Sequence, residues 1–219
     1  MSAKRIIMPI ILSIVCAFGI FSINFAYGYF DQQSVSQNET IPIGNFDNPF
    51  VTTYYTGFEN YTNTTLFSNI NLSIDGVNWQ VNSVVVGNTA NDLKVGTKSA
   101  RFNRNAYMNS LDSFTGLRTI SFYMGKTVDS PTSGKTYEVA IRDATSNWYI
   151  INTGAMPNTF TYFELDVATM IQNGITLSNN VTVTQSTPLF VRIYFNGNQG
   201  GNPTRQNMNL DELKITHSS

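Results

Sequence analysis

Three regimes of hydrophobic patterning follow one another along the chain. Residues 6–26 are almost wholly apolar, with no alternation. From Asp31 to Pro49 the chain is polar and sprinkled with Gly, Pro and Asn, and no period is sustained. That composition reads as a linker. From about Val51 onward apolar and polar positions alternate in short runs bounded by Asn, Gly, Asp and Ser, the period-two signature of half-buried strands. "VTTYYTGFE" opens this part. "NWQVNSVVVGN" follows, with Trp79, Val81 and the Val84–Val86 run turned inward. "KSARFN" sets Ala100 and Phe102 on one face, with Ser99 and Arg101 on the other. "RTISFYMGK" does the same with Ile120, Phe122 and Met124. "KTYEVAIRDATSNWYIIN" reads as a hairpin in which Tyr137, Val139 and Ile141 alternate, "DATSN" turns, and Trp148 begins the return. "FTYFELDVA", "NNVTVTQS", "LFVRIYFNG" and "NMNLDELKIT" complete the set. Only Ala168 to Ile175 has helical character, over about two turns. Short strands at regular spacing, without helical alternation, predict an all-β, antiparallel sandwich or barrel over residues 51–219.

Composition sharpens this. Charged residues are 12% of the chain, about half the ~25% usual in soluble domains. The surface is therefore covered by uncharged polar groups, and Asn, Ser and Thr are abundant. Such a surface suits strands and loops better than helices. The net charge of −1 gives no electrostatic reason to expect nucleic acid as a partner.

The first regime has a targeting logic. Lys4 and Arg5 precede the apolar run, and Ala26-Tyr27-Gly28 places small residues where a signal peptidase reads. Residues 1–28 read as a secretory signal. Left uncleaved, residues 6–27 are long enough for a membrane anchor, the only route to a membrane that the sequence suggests. Residues 29–50 are then the linker, and the folded domain is expected to be secreted or extracellular. With Lys4 and Arg5 gone from the 13 cations, 11 face 14 acids, a net of −3. The only cysteine, Cys16, lies in the leader, so the remainder has no disulfide, thiolate nucleophile or cysteine zinc site.

The order of motifs carries a resemblance. "GFE" near the start is followed by a Trp in "VNWQV", then "VGTKSARF", "GLRTISFYMG", the "DATSNW" turn and a closing "MNLDELKIT". Over roughly Tyr54 to Thr216 the chain resembles the galactose-binding-like jelly rolls and the carbohydrate-binding modules of exported bacterial proteins. The resemblance implies a jelly-roll sandwich in which "GTKSA" is a corner leading into an inner strand. Gly96 would serve there through a positive φ or a close approach. It also implies a structural calcium ion held by the carboxylates of Glu59 and Asp211 and by backbone carbonyls near Lys98. Calcium is hard and mixes carboxylates with carbonyls readily.

Catalytic readings fare poorly. "VGTKSA" lacks the first Gly of a phosphate loop, and a strand follows it where a helix would be needed. The single histidine, His217, is two residues from the C-terminus, a poor place for a triad. Glu164 and Asp166 share a strand face, but residues 167–172 supply no third acid for a glycosidase. The chain is read as a non-enzyme. A sugar site wants aromatic rings to stack on and a few polar groups for hydroxyls. Trp148, Tyr149, Arg142 and Tyr194 offer these on or beside strands, and Arg205 offers them in the long loop "FNGNQGGNPTRQN". Tyr107, Tyr123, Tyr162 and Arg192 are further strand candidates. The expected function is recognition of a glycan or cell-surface ligand. The alternative is a structural or adhesive module for a protein partner.

Overall fold

The computed structural model describes residues 51–61, 69–87, 89–128, 135–197 and 207–218. The leader and linker lie outside the described residues, as do Arg205 and most of its loop. Among the described residues there are ten strands and one short helix. They are β1 (Val51–Thr56), β2 (Asn69–Ile74), β3 (Val77–Gly87), β4 (Ser99–Ser110), β5 (Thr119–Lys126), β6 (Thr136–Arg142), β7 (Tyr149–Ala155), β8 (Thr161–Asp166), α1 (Val167–Gln172), β9 (Phe190–Asn196) and β10 (Asn207–Ser218).

Every strand pairing is antiparallel. The hydrogen-bonded path runs β7-β6-β9-β4-β10-β5-β8, with β3 also on β4, β2 on β3, and β1 on β10. Two long strands let this path fold into two layers. The second half of β4, Ala106–Asn109, pairs with β9, whereas its first half, Ala100–Asn103, pairs with β10. Asn105 stands between the halves with φ 48°. On its other edge β4 keeps β3 throughout, and β3 bulges at the facing point, where Ser83 has φ 56°. β10 behaves alike. Its first half pairs with β4, and after Glu212 (φ 54°) its second half takes β1 instead. Left-handed residues are rare inside strands, and each here coincides with a bulge that turns the strand. Layer one is thus β2, the first half of β3, the second half of β4, β9, β6 and β7, and layer two is the second half of β3, the first half of β4, β10, β1, β5 and β8. This is the all-β antiparallel jelly-roll sandwich expected from the sequence.

The alternating residues meet between the layers. Val191, Ile193 and Phe195 of β9 and Tyr137, Val139 and Ile141 of β6 face Ile120, Phe122 and Met124 of β5 and Leu210, Leu213 and Ile215 of β10, all buried. Trp79 is fully buried, and its indole N–H donates to the Tyr54 hydroxyl at 3.1 Å, which in turn donates to the Ile74 carbonyl. The polar end of each ring is thereby satisfied. Two elements differ from the sequence expectation. "NNVTVTQS" forms no strand: it makes only an isolated bridge, Thr176 to Thr182. β4 runs well past "KSARFN" to Ser110, because the polar Arg104-Asn105 step is a bend in the strand and not its end.

Candidate functional site

The segment 89–98 is a corner, as the resemblance implied, and its three neighbouring cations are all occupied. Lys94 Nζ donates to the Thr89 and Asp92 carbonyls at 3.0 and 3.2 Å. Lys98 Nζ donates to the Glu59 and Tyr61 carbonyls at 2.8 and 3.1 Å. Arg101 Nε donates to Asp92 at 2.6 Å. Asp92 is buried, and the Asn209 amide on β10 also donates to it. No phosphate loop or basic patch is left over: the charges tie the corner to its surroundings.

Two carboxylates converge on this corner. Glu59 Oε1 accepts from the Thr97 and Lys98 backbone N–H groups at 2.7 and 3.2 Å, and the Thr97 hydroxyl donates to Oε2. These hydrogen bonds hold its carboxyl below its usual range, the Thr97 hydroxyl first among them. Asp211 accepts from the Val95 N–H at 2.8 Å with one oxygen and from the Glu212 N–H with the other. It is fully buried. Burial pushes its carboxyl up to about 6, and the charges of Glu212 and Glu59 add to that. Among the described residues no cationic side chain pairs with Asp211, and no group of three or more His, Cys, Asp or Glu forms a ready metal site. Glu59 and Asp211 thus meet the same 95–98 turn through its backbone N–H groups. Carboxylate oxygens that accept N–H bonds retain lone pairs for a metal.

A second assembly occupies the outward face of layer one. Register places Glu138, Tyr194, Tyr107, Asn82 and Asn69 in one row across β6, β9, β4, β3 and β2. Ala140, Arg192, Asn109, Gln80 and Asn71 form the next row. Trp148 stands beyond the end of β6, and the guanidinium carbons of Arg142 and Arg192 lie 4.6 and 5.7 Å from its ring centroid. Arg192 also lies over Tyr194 at 4.6 Å and Tyr107 at 5.2 Å. Arg142 lies over Phe190 at 5.7 Å. Guanidinium planes stack on aromatic faces, and the stack fixes both partners. The Asn69 amide oxygen accepts from Asn82 and from the Tyr107 hydroxyl. Asn109 Oδ1 and the Nε atoms of Arg142 and Arg192 are shielded from solvent yet have no hydrogen-bond partner among the described residues. Polar atoms in that state are few in native proteins, and the others among the described residues are Arg118 Nε, Thr127 Oγ1 and Asn152 Oδ1.

The loop before Trp148 is held firmly. Asp143 accepts from the Thr145 and Ser146 N–H groups at 2.8 and 2.6 Å, and Asn179 donates to its other oxygen at 2.8 Å. The Asn147 N–H donates to Ser178. These bonds, led by the one from Asn179, hold the Asp143 carboxyl well below its usual range.

Of the residues singled out from sequence, Arg142, Trp148 and Tyr194 come together here with Arg192 and Tyr107. Tyr149 does not join them. It pairs with the core residue Ile141 and lines a separate shallow hollow of about 260 Å³ with Met170, Gly174 and Ile175. Tyr123 and Tyr162 are also elsewhere, on layer two, with Phe160 beside Tyr123. Arg205 lies outside the described residues. Asn109 and Gln80 went unnoticed in the sequence. Nothing local marks them, since only the pairing register brings them beside Arg192. Glu164 accepts from the Tyr162 hydroxyl at 2.5 Å and faces Ser121. Asp166 caps α1, accepting from the Thr169 N–H at 3.0 Å and its hydroxyl at 2.7 Å. Neither acid meets a second carboxylate within a cleft.

No protein-family profile and no curated protein matches the sequence. Several solved structures are similar in fold. The K2 cleaved adhesin domain of Lys-gingipain aligns over 76% of this chain and 99% of its own, with TM-score 0.47 and 13% identity. The CBM22-1 xylan-binding domain of Paenibacillus barcinonensis Xyn10C aligns over 76% and 94%, with TM-score 0.42 and 13% identity. A CBM61 module solved with β-1,4-galactotriose aligns over 64% and 88%, with TM-score 0.40 and 11% identity. At these identities the likeness is one of chain path.

Proposed function

We propose that this chain is an exported, non-catalytic binding module that holds a glycan on the outward face of layer one. The observation that carries the reading is the assembly of Trp148, Tyr194 and Tyr107 with Arg142, Arg192 and Asn109. Rings stand beside polar atoms that have no partner among the described residues. Sugars present an apolar ring face and a hydroxyl edge, and such a surface answers both. The latched 143–147 loop holds Trp148 in place before the ligand arrives, which lowers the entropy cost of binding. A structural calcium ion belongs to the same reading. It would be held by the Glu59 and Asp211 carboxylates and a carbonyl near Lys98, and would neutralise the buried Asp211 and clasp the 95–98 corner between β1 and β10.

Affinity electrophoresis in gels containing β-glucan, xylan, galactan or polygalacturonate tests the glycan reading. The protein is expected to be retarded by at least one polysaccharide, and Trp148→Ala to abolish the retardation while the far-ultraviolet spectrum stays unchanged. If the parent chain migrates freely through all of them, the glycan reading fails. The adhesive reading then takes its place. It draws on the tyrosines of layer two, where Tyr55 and Tyr162 are each 49% exposed, since Tyr is enriched at protein interfaces.

A further inference from the structure

The charges on the layer-one face do not balance. Arg142 and Arg192 share one aromatic neighbour, the Trp148 ring. Both are half-buried, and among the described residues neither is in an ion pair or donates a hydrogen bond. The contrast within the chain is Arg101, whose guanidinium meets the Asp92 carboxylate. The acid nearest on the face is Glu138, in the next row, and it does not come within ion-pair distance of Arg192. Asp143 follows Arg142 directly, but its carboxylate is taken up by Thr145, Ser146 and Asn179. Burial lowers the pKa of Arg192, and the charge of Arg142 acts in the same direction. Two like charges are therefore held near each other by ring faces, and the acid that favours the Arg192 charge, Glu138, acts from beyond ion-pair distance.

We propose that this face selects an acidic glycan, whose sugar ring stacks on Trp148 or Tyr194 while its carboxylate or sulfate group is taken by Arg142 and Arg192. The proposal rests on the glycan reading and names its ligand class. A guanidinium offers parallel N–H groups that match two oxygens of one anionic group. The Nε of each arginine is shielded, so the terminal N–H groups of these half-buried side chains are the ones that form such a fork. A neutral hydroxyl occupies one N–H and leaves the paired charges as they were. Partial burial makes that omission expensive, since water cannot compensate fully.

The test is a fluorescence titration of the full chain. Trp79 is buried, so Trp148, the other of the two tryptophans, reports the site. Four oligosaccharides of equal length are compared: oligogalacturonate, its methyl ester, a sulfated galactan fragment and the neutral galactan fragment. At least one anionic probe is expected to bind about tenfold or more tighter than the ester and the neutral probe, the scale of one charge-assisted hydrogen bond. That preference is expected to shrink as salt is raised. The carboxylate and sulfate arms identify which anion is read. Arg192→Gln and Arg142→Gln are expected to remove the difference between acid and ester, and Arg192→Lys to restore part of it by keeping the charge without the fork. Equal affinity for acid and ester overturns the acidic proposal and leaves a neutral-glycan module. Absence of binding to all four overturns the acidic proposal, and retention in the neutral polysaccharide gels then decides whether the glycan reading survives.

Discussion

Gly96 is the residue on which the corner turns. Its φ is not in the left-handed region, so the reason for glycine is space. A Cβ there would sit 2.0 Å from Glu59 Oε1 and 2.9 Å from Cδ. The Glu59 carboxylate cannot simply swing away, because the Thr97 and Lys98 backbone N–H groups hold it. Gly96→Ala is therefore expected to evict Glu59 and cost about 0.5–1.5 kcal/mol, the net scale of a hydrogen bond whose donors stay open to water. Urea unfolding of Gly96→Ala, Glu59→Ala and the double variant checks this. The double variant should cost clearly less than the sum of the singles, because both remove one interaction; additive costs would mean that the glycine has another role. The sequence allowed close approach as one of two reasons for this glycine, and close approach is what the structure has. Tyr149 opens β7 and pairs with Ile141, whereas Trp148 stands before that strand with Arg142 and Arg192 against its ring, so the two adjacent aromatics have different surroundings.

At the scale of elements, strands whose alternation is uninterrupted were legible. β5, β6 and β9 fall where the pattern placed them, with the named residues inward. β4 was cut short because its alternation passes through a polar bend. "NNVTVTQS" alternates as well as a true strand, but it joins no ladder and makes only the Thr176–Thr182 bridge. Alternation reports which residues are buried and is silent about hydrogen-bond partners. Asn105 tests how much the β4 bend relies on its residue type. The position is exposed and has φ 48°, which Asn tolerates and β-branched residues do not. Asn105→Val is expected to lower stability by about 1–2 kcal/mol in chemical denaturation, and Asn105→Gly to leave it nearly unchanged. Equal losses in both would assign the role to the Asn side chain and not to the backbone.

For the whole molecule, the question is what clasps the first strand to the last. β1 lies on the second half of β10, with Glu59 just beyond one and Asp211 within the other. If calcium joins these carboxylates, at ~100-fold above its dissociation constant it stabilises the fold by about 2.7 kcal/mol. For a domain of this size that raises the unfolding temperature by roughly 5–10 °C. Thermal unfolding in calcium and in chelator measures it, and the shift should vanish in Glu59→Ala and Asp211→Ala. Identical curves in the parent chain would remove the ion and leave Glu59 as a cap on the corner. Architecture and the ends of the sandwich were legible from motif order. The face around Trp148 and Arg192 was only half legible, because Asn109 and Gln80 belong to it through register, which is a long-range property. That register also decides how the fold bears load. Val51 and Ser218 are direct partners at one end of the β1–β10 ladder, so the chain enters and leaves the sandwich at a single point. Tension between those two residues opens the ladder from that end, one pair after another, as a zipper opens. Every bond is strained in turn and never in concert, so the clasp beyond the far end of the ladder, at Glu59, is reached last.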